Sequence, residues 1–260
     1  MSDEKAVPPS PGWPRVVIAF LFLFAVYQAA EGMQTIFAPL SPLGPALMLL
    51  APLLAWPLGR WLGWRGYDAY GLDLRRSSLV VLIVGLLVAG LAKFASLEIG
   101  IEIGAYMPSA EVTPLTPILL PVVFLSSFVP SVAEDIITRG FLLRTIPVRL
   151  GFWVYVLASA ALYTANHIWR FGWGPSEQLR LFCLGLAYAA AAWRWRTLWG
   201  AVALHWGWNF ANGLAAVIMP AEVVNVVDAR LVAAGAHLVL FAIIALLPLS
   251  AAAPPARPRP

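Results

Sequence analysis

The sequence predicts an all-α protein of the polytopic membrane class, a transmembrane bundle of about eight spans with both termini cytoplasmic. Three observations carry this expectation. Of 260 residues, 61% are hydrophobic and only 12% are charged, with a mean hydropathy of +0.80, whereas an ordinary soluble domain is about a quarter charged. Apolar runs near the spanning length of about 20 residues recur along the chain. Lysine and arginine concentrate in alternate connections, as the positive-inside rule requires. One soluble core of this length cannot hide so much apolar surface, so lipid is the natural solvent for much of it.

Residues 1–14 are polar and read as a disordered N-terminus. Residues 15–114 hold N-terminal transmembrane helices at about Val16–Phe37, Leu43–Leu62 and Leu79–Leu97. The first run is too long for the apolar core of a signal peptide and lacks a small-residue cleavage site. Residues 115–250 hold five more spans, at about Leu115–Leu143, Phe152–Ile168, Leu179–Trp193, Leu198–Ile218 and Leu231–Leu249. Residues 251–260 form a disordered Pro/Arg tail. Pro130 lies inside the fourth run, where it can kink or break a helix; a break would reverse the direction of everything downstream.

With a cytoplasmic N-terminus, the inner segments receive Lys5, Arg15, Arg60, Arg65, Arg75, Arg76, Arg144, Arg149, Arg194, Arg196, Arg257 and Arg259. The outer segments receive Arg170, Arg180 and Arg230, and an outer loop carries Glu98, Glu102 and Glu111. The net charge of +4 is thus explained by topology, with no need for nucleic acid as a partner. Cys183 has no second cysteine to pair with, which excludes a disulfide framework and cysteine-based zinc sites. Many of the tryptophans, Trp13, Trp61, Trp153 and Trp173 among them, fall near span ends, as interfacial aromatics do.

Ionisable residues inside apolar spans are costly, and usually face a bundle interior with a task to perform. Glu134 and Asp135 lie in the fourth run. Asp135 and Arg139 are four apart and can pair along one helix face, while Glu134 points about 100° away and has no partner on its own segment. A carboxylate so placed is a candidate general base. The competing reading takes Ser131-Val132-Ala133-Glu134 as a capping box that restarts a helix after Pro130. Tyr163 and His167 share a face of the fifth run; a histidine near a span end can equally be an interfacial hydrogen-bonder. His205 and Asn209 sit one turn apart on the seventh, where polar residues also serve helix–helix association. Asn212, two turns beyond His205, extends that face. Glu31 and His237 read as bundle hydrogen-bonders, Lys93 as a side chain that snorkels toward an interface, and Trp206 and Trp208 as packing residues or a groove lining.

The conjunction resembles the CPBP family of intramembrane proteases, the CAAX-protease and bacteriocin-processing group also called Abi. Its pattern runs E-E-x-x-x-R, F-x-x-x-H, then H-x-x-x-N/D on successive helices. Here it reads Glu134-Asp135-x-x-x-Arg139, Tyr163-x-x-x-His167 and His205-x-x-x-Asn209. The flanks Gly140-Phe141-Leu142, Leu184-Gly185-Leu186 and Thr197-Leu198-Trp199 agree, and the resemblance covers residues 115 to 216. Asp135 and Tyr163 depart from the pattern; the first keeps a carboxylate beside Arg139, and the second keeps an aromatic ring and adds a hydroxyl for His167 or substrate.

The resemblance implies a membrane-embedded endopeptidase acting on a membrane-associated peptide or protein. Glu134 would activate water, His167 would hold that water or the carbonyl, and His205 and Asn209 would stabilise the oxyanion. Asp135 and Arg139 would brace the helix, with Tyr163 supporting. The favoured mechanism needs no cofactor; zinc on Glu134, His167 and His205 is the alternative. The Ala/Arg/Pro/Trp-rich composition suggests a bacterial inner membrane. A non-catalytic scaffold or immunity protein keeping the fold is the competing function. A solute transporter lacks support, because no repeated halves are visible. Helix rise puts His167 late in its span and His205 early in its own, so their meeting requires the fifth helix to be tilted, deeply started or misbounded.

Overall fold

The computed structural model describes residues 11–110 and 116–247. Most of the N-terminal segment, the Pro/Arg tail, Lys5, Glu111, Arg257, Arg259 and the extreme ends of the fourth and eighth runs lie outside them. The predicted runs become helices α1 (Trp13–Gly32), α2 (Leu43–Trp61), α3 (Arg76–Glu102), α4 (Leu119–Asp135), α5 (Phe152–Asn166), α6 (Pro175–Trp195), α7 (Trp199–Ile218) and α8 (Val226–Leu246). Two short strands, β1 (Tyr106–Pro108) and β2 (Ala221–Val223), pair antiparallel and tie the α3–α4 connection to the α7–α8 connection.

Local chemistry sets the ends. Pro14 and Pro175 occupy the first turns of α1 and α6, where a missing N–H costs nothing. Asn225 caps α8 by accepting from Val227 N and Asp228 N. Arg196, at φ 54°, reverses the chain between α6 and α7.

Pro130 does not break the fourth element. α4 runs through it, and the chain continues as a π-helix over Ile136–Thr145. Ser131 is therefore interior to a helix, and its hydroxyl donates back to the Ser127 carbonyl at 2.7 Å. The capping-box reading fails for that reason: no helix starts there for Glu134 to cap.

Among the described residues, five elements are long and apolar enough to cross a membrane: Trp13–Phe37, Leu43–Trp61, Arg76–Glu102, Leu119–Thr145 and Val226–Leu246. α6 and α7 are buried along most of their length inside this set. α7 packs between α3, α4 and α6, and α6 packs against α5 and α8. Backbones approach closely where side chains vanish: a Cβ on Gly207 of α7 would sit 2.7 Å from the Leu86 carbonyl oxygen of α3, the small-residue contact typical of membrane helices.

The connections sort onto two faces. On one, Arg144 pairs with Asp73 at 2.7 Å and donates to the Arg196 carbonyl, while Leu198 N and Thr197 Oγ1 donate to the Gly71 carbonyl. On the other, Arg170 pairs with Glu31 at 2.9 Å, and Arg230 reaches Glu177 at 3.1 Å and the Trp173 carbonyl. The grouping follows the inner and outer sets that the basic residues define in the sequence.

Candidate active site

Glu134 is the penultimate residue of α4, His167 caps the C-terminus of α5, and His205 lies in the second turn of α7. All three are buried. Glu134 Oε2 is 3.6 Å from His167 Nε2 and 3.8 Å from His205 Nε2. The apparent mismatch in depth is absorbed by α5: at 15 residues it is about 22 Å long, short of a hydrocarbon core of about 30 Å, so its last residue need not reach the far interface.

Hydrogen bonds on the far side of each ring orient the imidazoles. His167 Nδ1 is 2.8 Å from the Tyr163 carbonyl, which can only accept, so Nδ1 carries the hydrogen and Nε2 turns its lone pair toward Glu134 in the neutral ring. His205 Nδ1 is 3.4 Å from Asp135 Oδ1, the same arrangement with a carboxylate as acceptor. His205 also stacks on Tyr188, with centroids 5.0 Å apart. The carboxylate oxygen and two imidazole nitrogens thus address one region with acceptor atoms. That arrangement suits a water molecule, which can donate to two of them and become more nucleophilic by losing a proton to the carboxylate.

Asp135 and Arg139 form a buried ion pair, both side chains fully enclosed. Thr138 Oγ1 accepts from Arg139 Nη1 at 2.9 Å, and the guanidinium lies over the Tyr163 ring at 4.5 Å and the Tyr188 ring at 5.2 Å. Asp135 therefore does more than brace its helix: the oxygen that meets Arg139 also faces His205. The Tyr163 hydroxyl points at His205 Nε2, 3.5 Å away, not at His167; the His167 ring instead takes the Tyr163 main chain. Asn209 is brought to α4, where Nδ2 donates to Ser131 Oγ at 3.2 Å, one turn from Asp135. Asn212 is exposed and does not join the cluster.

Several participants were not singled out as site residues in the sequence. Tyr27 of α1 is buried with its hydroxyl directed at the Glu134 carboxylate. One turn on, Glu31 pairs with Arg170 in the 3₁₀ segment that follows His167. Gln28 Nε2 donates to the Asn166 carbonyl at 2.6 Å, and Trp169 Nε1 donates to the Gln28 carbonyl at 3.0 Å. The signal was present as Tyr27-x-x-x-Glu31, a polar pair at helical spacing in an apolar run. His237 bonds Tyr188 at 2.9 Å, as a bundle hydrogen-bonder should. Trp206 packs on Phe124 and Phe128 and donates to the Phe124 carbonyl. Lys93 is buried, with its ammonium near the Trp208 ring and the Tyr106 ring of the α3–α4 connection.

A tetrahedral zinc ion with bonds of about 2.1 Å needs donors about 3.4 Å apart. The two separations measured from Glu134 exceed this, and among the described residues no group of three or more His, Cys, Asp and Glu is arranged to hold a metal ion.

A carboxylate and two oriented imidazoles thus meet in one buried cluster, enclosed by membrane-type helices. Residues 116–211 match the family described as Type II CAAX prenyl endopeptidase Rce1-like. That segment contains every motif residue from Glu134 to Asn209. No curated protein matches the chain.

Proposed function

We propose that this protein hydrolyses a peptide bond of a membrane-associated substrate by a glutamate-based, metal-free mechanism. The observation that carries the reading is the convergence of Glu134 Oε2 on two imidazoles whose Nε2 atoms are turned toward it by Tyr163 and Asp135. Glu134 takes a proton from water while the water oxygen bonds to the scissile carbonyl carbon. His167 Nε2 accepts a hydrogen bond from the remaining water O–H, which stays on the oxygen, and so fixes the nucleophile. Asn209 retains one N–H beyond its bond to Ser131, and this donates to the developing oxyanion together with His205, once the proton held by Glu134 has passed to Nε2. As the C–N bond breaks, that proton goes to the leaving nitrogen, so the reaction consumes one water and nothing else.

The test is cleavage of lipid-tethered peptides by purified protein in nanodiscs. Glu134→Gln keeps the shape and removes the base; a fall in kcat of about a hundredfold or more is expected. Equal turnover by Glu134→Gln and the parent, both folded, would leave the scaffold or immunity reading in its place. Metal chelators should leave kcat unchanged; restoration of lost activity by added zinc would overturn the metal-free mechanism while keeping the protease. The setting is an integral membrane protein, with a bacterial inner membrane as the proposed location.

A further inference from the structure

The turn that carries His167 is held from outside the helix that leads into it. α5 ends at Asn166, and His167 takes φ −92° and ψ 53°, away from the helical region. A continuing α-helix therefore does not fix the direction of its ring. The segment that follows, Ile168–Trp173, is 3₁₀ and has no buried residue of its own.

One turn of α1 supplies the missing restraint. Gln28 Nε2 donates to the Asn166 carbonyl at 2.6 Å and lies 3.1 Å from Asn166 Oδ1. The Gln28 carbonyl accepts from Trp169 Nε1 at 3.0 Å, and Glu31 pairs with Arg170 at 2.9 Å. Gly32 leaves the space that the indole fills: a Cβ there would sit 2.8 Å from Trp169 Cε2. Gln28, Glu31 and Asn166 are all buried.

Asn166, Trp169 and Arg170 flank His167 on both sides, and each is tied to this turn. The bond to the Asn166 carbonyl is the central one, because a helix leaves its last carbonyls without donors of its own, and a buried one needs a partner. Tyr27, in the same turn, directs its hydroxyl at Glu134. One stretch of α1 thus touches both the carboxylate and the histidine turn, whose Oε2 and Nε2 atoms stand 3.6 Å apart. α1 lies outside the matched segment 116–211.

Resting on the endopeptidase reading, we propose that Gln28 is a positioning residue for His167, holding its Nε2 toward Glu134 from a helix that carries none of the catalytic motifs. A displacement of about 1 Å in a reacting group costs up to about a hundredfold in rate. The clamp acts on turnover and not on peptide binding, because its contacts are with the histidine turn.

The experiment uses full-length protein in nanodiscs with an N-palmitoylated Gly/Ala hexapeptide as the probe. Gln28→Met keeps the length of the side chain and removes its amide hydrogens. It should lower kcat about tenfold or more and leave KM within about twofold. The readout that packing alone would not move is the imidazole itself. With three histidines in the chain, isotope-labelled ring nitrogens are separately observable by NMR. Gln28→Met should shift the His167 signals and leave those of His237 in place. An unchanged kcat, a loss carried by KM, or unmoved His167 signals each overturn the proposal. Should Gln28→Met fail to fold, Trp169→Phe decides by the same three criteria, since it removes the N–H that meets the Gln28 carbonyl and keeps an aromatic ring. A parent that does not cleave the peptide, with the His167 signals still shifted by Gln28→Met, counts against the endopeptidase reading and leaves the positioning of His167 standing.

Discussion

At the scale of single residues, the site is a set of nested orientations: Arg139 fixes Asp135, Asp135 faces His205, and His205 meets Glu134. Removing one member of the buried pair leaves the other charge uncompensated, a cost of about 3–5 kcal/mol. Arg139→Met is therefore expected to lower thermal stability by that order and to reduce kcat, whereas Arg139→Met combined with Asp135→Leu should recover much of the stability but not the activity. Recovery of both in the double variant would show that Asp135 has no part in orienting His205. Tyr163→Phe restores the aromatic residue that the family pattern carries. Because the hydroxyl lies at the outer limit of a hydrogen bond to His205, kcat should fall by less than about tenfold, with stability unchanged; a loss as large as that of Glu134→Gln would make the hydroxyl a catalytic group. The motif residues were legible in the sequence because a carboxylate, two histidines and an amide stand out in apolar runs. Tyr27 was marked only by its spacing from Glu31, since a tyrosine alone in such a run reads as ordinary packing until the fold brings it to Glu134.

At the scale of elements, helix positions followed directly from hydropathy, and the eight predicted runs lie on α1–α8. What hydropathy does not encode is the kind of helix. The π-helical stretch over Ile136–Thr145 begins immediately after Asp135, and apolar composition reads the same whether the turn holds 3.6 residues or more. Its location fits the tendency of widened turns to occur at functional sites. Nor does hydropathy give the spacing between helices, which here depends on glycine. Gly207 lies two residues after His205, so its contact with Leu86 sets how deeply α7 seats against α3. Gly207→Val must push the helices apart, because the obstructing atom is backbone. A loss of about 1–3 kcal/mol is expected, read as a lower melting temperature in detergent together with reduced turnover. Gly90→Ala offers the contrast: its added carbon meets only Ala211 Cβ, at 3.9 Å, and should leave both quantities unchanged. Equal damage from the two substitutions would mean that close approach does not govern this interface, since Ala and Val both favour a helix over Gly.

At the scale of the whole molecule, charge placement and fold agree on two faces. Arg144, Asp73, Gly71 and Thr197 meet on one, and Glu31, Arg170, Glu177 and Arg230 on the other. Their separation was legible because it costs far more to move an arginine through the bilayer than to leave it at the interface. We propose, from the positive-inside rule, that the face with the basic connections holding Arg60, Arg65, Arg75 and Arg76 meets the cytoplasm. On that proposal the Glu31–Arg170 pair next to His167 lies on the outer face, which relates the Glu134, His167 and His205 cluster to each compartment. Single-cysteine labelling tests this with the buried Cys183 replaced by alanine. A cysteine at the exposed position of Gly172, in the segment after His167, should react with a membrane-impermeant maleimide in intact cells. A cysteine at the exposed position of Ser77, at the start of α3, should react only after the membrane is opened. The reverse pattern would invert the molecule while preserving its fold. Labelling of both positions from one side would be incompatible with α3 and α5 beginning on the same face, and with it the bundle order that brings Glu134 to the two histidines.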